Sequence, residues 1–100
     1  MMLHIKPDYV EARNSLGLAL ARSGRLDDAI AQFEQALELD PDHAQAHNNL
    51  GGVLEPKGRV VEAVAHLTRA VAIKPDYAGA LNRLAFIRAT SSRGENGLPM

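Results

Sequence analysis

Three prolines, Pro7, Pro41 and Pro75, stand 34 residues apart, each inside a version of one phrase. HIKPDYVEA runs from His4 to Ala12, ELDPDHAQA from Glu38 to Ala46, and AIKPDYAGA from Ala72 to Ala80. A fixed period of this length constrains the fold more than any local motif. One such unit cannot bury its own apolar face, so successive units must stack into a solenoid. Counted from the third residue after each proline, the first full unit is Val10–His43 and the second is Ala44–Tyr77.

The units agree position by position. Leu16-Gly17 aligns with Leu50-Gly51, Leu20 with Leu54, Gly24 with Gly58, Ala29 with Ala63, Phe33 with Leu67, and Ala36 with Ala70. Leu16 and Leu20 have helical spacing, as do Leu26, Ile30, Phe33 and Leu37. Each unit therefore reads as two helices. Gly24 and Gly58 lie between them, where glycine takes the left-handed conformation that closes a helix. Asp27 and Asp28 open the second helix at its positive end, and Pro41 stops it. Asp42 with Gln45 reads as a capping box; Asp8 with Glu11 repeats it, and Asp76 with Gly79 half loses it. Small residues at 17, 29, 36, 51, 63 and 70 let antiparallel helices approach closely.

These residues resemble the tetratricopeptide repeat family, whose pattern pairs Leu-Gly with a later Ala, an aromatic and a final Pro. Leu16-Gly17, Ala29, Phe33 and Pro41 match in the first unit; Leu50-Gly51, Ala63 and Pro75 match in the second, with Leu67 for the aromatic. The family's early Trp is replaced by Arg13, His47 and Leu81, and its Tyr by Leu20 and Leu54. The resemblance covers Leu3 to Thr90. It implies an all-α fold of antiparallel helix-turn-helix repeats stacked as a right-handed α-solenoid. Residues 1–9 are expected to be the stub of a preceding repeat, 10–43 and 44–77 the two repeats, 78–90 a capping first helix of a third, and 91–100 a disordered tail.

Composition narrows the function. The chain of 100 residues is 46% hydrophobic and 23% charged, with a formal net charge of -1 and no cysteine. That composition supports folding. The charge balance argues against nucleic-acid or anionic-membrane partners, and the missing cysteine excludes disulfides and thiolate metal sites. MMLHIKPDYV reads as neither signal peptide nor membrane anchor, so a cytoplasmic protein is expected.

Candidate chemistry is sparse. His43 and His47 have a chelating spacing but no third ligand nearby, which favours packing or surface roles. Asp27-Asp28 and Glu34/Glu38 fit a helix start and a solvated face. No nucleophile constellation or phosphate loop is present, so neither catalysis nor a cofactor is expected.

Asn14, Asn48 and Asn82 recur at the period, two residues before each repeat's Leu. In the family the first helices line a concave groove. The resemblance places Glu11, Asn14, Ser15, Leu18 and Arg22 there, then Gln45, Asn48, Asn49 and Gly52, then Asn82, Arg83 and Phe86. Side-chain amides can both donate to and accept from the main chain of an extended peptide. A carboxylate-clamp subtype carries Lys, Asn, Asn, Lys and Arg; the corresponding residues are Asn14, Leu18, Asn49, Gly79 and Arg83, so only two match. A second subtype, preceding a sugar-transferring domain, matches only at Asn49, with Ser15 and Arg83 in its other positions. The expected role is a non-catalytic scaffold binding a protein or peptide. The alternatives are a substrate-recruiting piece of a larger enzyme, such as a glycosyltransferase, and a self-assembling module that forms homo-oligomers through exposed repeat ends.

Overall fold

The computed structural model describes residues 7–96, with side-chain surroundings for residues 9–90. Five helices follow one another: α1 (Pro7–Arg22), α2 (Leu26–Leu39), α3 (Ala44–Leu54), α4 (Val60–Ile73) and α5 (Ala78–Asn96). No strand occurs among the described residues. The expected all-α repeat architecture is present.

Both turn glycines have left-handed backbones, with φ of 83° at Gly24 and 84° at Gly58. Beside them the same bond recurs: Arg25 N donates to Leu20 O at 2.9 Å, and Arg59 N to Leu54 O at 3.0 Å. Glycine is needed there because a Cβ strains this conformation. The position equivalent to Gly24 and Gly58 in the third unit is Ser92. No turn forms, and α5 runs on to Asn96, six residues beyond the expected helix end at Thr90.

The helix starts depart from the expected caps. The N-cap of α3 is His43, not Asp42; its backbone is extended and its Nδ1 accepts from Ala46 N at 3.1 Å. Asp42 instead accepts from Arg69 of α4 at 2.8 Å. At the first repeat α1 begins at Pro7, so Asp8 lies within the helix rather than before it. Proline suits a first turn because its missing N–H has no partner there anyway. α2 ends as expected before Pro41, with Asp40 N donating to Ala36 O at 2.9 Å.

Close approach explains the small residues. A Cβ on Gly17 would lie 2.5 Å from the Phe33 ring, and one on Gly51 2.5 Å from Leu67 Cγ. Phe33, Leu50, Leu54 and Leu67 are fully buried in a core that continues from α2 through α5. A smaller core joins Val10, Ala36 and Ala46.

Each helix packs on its neighbours in sequence, and α1 also touches α3, as α3 touches α5. α2 and α4 do not meet among the described residues. The odd-numbered helices thus converge while the even-numbered ones splay. The stack curves with α1, α3 and α5 on its inner side, inside a body of 63 × 29 × 17 Å.

Candidate groove and pocket on the inner face

The inner face is built from one helix per repeat. Of the expected groove residues, Glu11, Ser15, Gln45, Asn82, Arg83 and Phe86 are exposed, and Leu18 and Asn49 are half-buried. Asn14 and Asn48 are not on an open face. They retain 2% and 7% of their surface and lie within the packing between helices.

The recurrent asparagines have an internal use. Asn49 Nδ2 donates to Asn14 Oδ1 at 3.0 Å, joining α3 to α1. The equivalent pair one repeat on is Arg83 with Asn48. That bond is not made, and Asn48 Oδ1 is buried without a partner. Arg83 lies elsewhere: its guanidinium carbon is 2.8 Å from where a Cβ on Gly52 would stand. The amide row is therefore complete at the first junction and interrupted at the second.

Glu11 is tied down as well. Its Oε2 is 2.8 Å from His43 Nε2. Because His43 Nδ1 accepts from the α3 backbone, Nε2 carries the proton and donates to Glu11. One imidazole thus caps α3 and holds the start of α1, a role that the spacing of His43 and His47 does not signal.

His47 does not join His43 in a metal site. Its Nε2 donates to Pro41 O at 2.7 Å, and its Nδ1 lies 3.0 Å from His66 Nδ1, with the rings stacked. The carbonyl fixes the tautomer: His47 Nδ1 accepts and His66 Nδ1 donates. Burial lowers the pKa of His66, and His47 lowers it further, against a smaller opposing effect of Glu62. In the first repeat the same two positions hold Arg13 and Gln32, which bond at 3.1 Å. The pair is a clip between the two helices of a hairpin. No group of three or more His, Asp or Glu capable of holding a metal occurs among the described residues.

Between α3 and α5 the inner face opens into a pocket of about 270 Å³. It is lined by Gly51, Gly52, Asn82, Phe86 and Ile87, with two charged residues, Glu55 and Arg83. Gly51 and Ile87 were not among the expected groove residues. A second depression of about 310 Å³ lies at the other end, around Tyr9, Ala12 and Leu16. No helix among the described residues is long and apolar enough to cross a membrane.

The tetratricopeptide repeat family model matches residues 3–34 and 14–78. Among solved structures, YrrB, described as a TPR protein with an unusual peptide-binding site, is 40% identical. That match covers 73% of this chain, which spans 38% of YrrB's length, with a TM-score of 0.70. A point mutant of MamA is 27% identical over 93% of this chain and 68% of its own, with a TM-score of 0.75. No curated protein matches the chain.

Proposed function

The chain belongs to the tetratricopeptide repeat family, and from that premise we propose that it is a non-catalytic scaffold whose inner face binds an extended segment of another protein. The carrying observation is the exposed row Ser15, Gln45, Asn82, Arg83 and Phe86 on three converging helices, interrupted by the pocket between α3 and α5. Polar groups offer donors and acceptors to a main chain, and the pocket offers an apolar foothold. The likeness to a structure described as having a peptide-binding site supports the same reading. We place this activity in the cytoplasm.

Three inner helices present little area, so affinity in the micromolar range or weaker is expected. Asn49 is a poor first target for mutation because it also holds Asn14. The test is selection of binders from a displayed peptide library, followed by titration into the isotope-labelled full chain. Amide shifts at Ser15, Gln45 and Asn82 are expected. Shifts confined to the outer helices α2 and α4 would overturn the assignment.

A further inference from the structure

Gly52 breaks the repeat. Its equivalents are Leu18 in the first unit and Phe86 in the third, both large and apolar. Leu18 packs against the main core between α1 and α3. At the next junction Gly52 has no side chain; the Arg83 guanidinium carbon stands 2.8 Å from where its Cβ would be, and a pocket of about 270 Å³ lined by both residues lies there. Phe86, left 59% exposed, forms one wall. The pocket is thus an inner-face cleft lined by the one residue of these three equivalents that lacks a side chain.

Its rim carries opposite charges. The ion pairs of the described residues engage Arg25, Lys57, Arg59, Arg69 and their acidic partners, but neither Glu55 nor Arg83. Nor are these two within ion-pair distance of each other. The Arg83 guanidinium lies over the bare backbone of Gly52 and lines the pocket. Its planar fork suits a carboxylate, which it can take in two parallel hydrogen bonds. Glu55 repels a carboxylate on its own side and suits a cation there.

The geometry points to this pocket as the anchor subsite of the groove, taking one aliphatic or aromatic side chain of an extended segment with an acidic residue on the Arg83 side and a basic one on the Glu55 side. The inference rests on the groove reading and adds to it the chemistry of the occupant. Apolar walls favour a desolvated side chain, while the rim charges set which neighbours are accepted.

The test titrates the labelled full chain with three blocked peptides, Ala-Asp-Leu-Lys-Ala, Ala-Lys-Leu-Lys-Ala and Ala-Asp-Ser-Lys-Ala. The first is expected to shift the amides of Gly51, Gly52, Arg83 and Phe86 and to bind roughly tenfold tighter than the other two. Gly52→Leu copies Leu18 of the first repeat and should remove those shifts in a folded protein. Arg83→Glu should move the preference from the first peptide to the second. Equal affinity for all three peptides, or undiminished binding by folded Gly52→Leu, overturns the assignment. Shifts at Ser15 and Gln45 without shifts at Gly52 leave the groove reading standing and remove the subsite. If neither these peptides nor library-selected ones shift any amide of α1, α3 or α5, both readings fall.

Discussion

Gly51 shows how tightly single residues are constrained. A methyl group there would meet Leu67 Cγ at 2.5 Å and Ala63 O at 3.2 Å. The first contact can move; the second is backbone and moves only with α4. Gly51→Ala adds about 1 kcal/mol of helix propensity but overpacks the core, which costs about 1–3 kcal/mol. A net loss of about 1 kcal/mol is expected, and a thermal melt of the variant at or above wild type would contradict it. This constraint was legible in the sequence, because small residues recurred where hairpin helices meet. The use of Asn14 was not. An amide bonded to another helix and one facing a ligand read identically in sequence, and only packing separates them. The pocket was hidden for a different reason: it lies where Gly52 lacks a side chain, and an absence shows only against the equivalent residues, Leu18 and Phe86.

Among the helices, α3 is cut short. Its partner in the first repeat reaches Arg22, but α3 ends at Leu54, two residues before the equivalent Pro56. Pro56 accounts for this early end, since proline removes a donor to Gly52 O and crowds it. In the first turn Ser23 N donates to both Ala19 O and Leu20 O; its equivalent, Lys57 N, donates to Leu54 O. Pro56→Ala should stabilise the fold by about 1 kcal/mol, a rise of roughly 4–8 °C in melting temperature for a domain of this size. A melt unchanged or lower would show that the short end is already relaxed. The α3–α4 clip adds a pH dependence. Unfolded His66 takes up a proton near pH 6.5, whereas burial beside His47 delays this in the fold. The unfolded chain then holds more protons, so the stability from this group is complete above about pH 6.5 and declines as the pH falls below it. Replacing His66 by Gln should flatten the decline in denaturant midpoint between about pH 7.5 and 5.5; an identical slope would place the effect elsewhere. The helix starts were harder to anticipate. His43 occurs once at a position held by Tyr9 and Tyr77 in the other phrases, so periodicity gave no hint of its cap. The long α5 was discoverable, because Ser92 stands where glycine is needed for the turn.

At the scale of the whole molecule, the two ends are unequal. α1 exposes Ala12, Leu16 and Ala19, whose equivalents Ala46, Leu50 and Val53 are buried in α3. Tyr9 and Leu16 keep 61% and 47% of their surface. At the other end the helix is better covered: Ile87 is buried and Leu84 half-buried, while Leu81 and Phe86 remain exposed. Apolar faces of this kind attract a partner, and another copy is always available. Light scattering over about a hundredfold range of concentration should show mass rising above one chain, through the α1 end. Leu16→Glu should suppress the rise, whereas a constant single-chain mass in the unmodified protein would remove the proposal. The contact pattern has a mechanical consequence. α1 and α5 do not touch each other, but α3 touches all four other helices. Pulled from its two ends, the molecule therefore carries tension through its helix interfaces in series, with no outer strap to share the load. The terminal hairpin can peel away while the remainder holds, until α3 is reached. Once α3 yields, no helix packing joins the two halves among the described residues, only exposed ion pairs such as Asp27 with Lys57 and Asp42 with Arg69, and the last rupture is a single abrupt one.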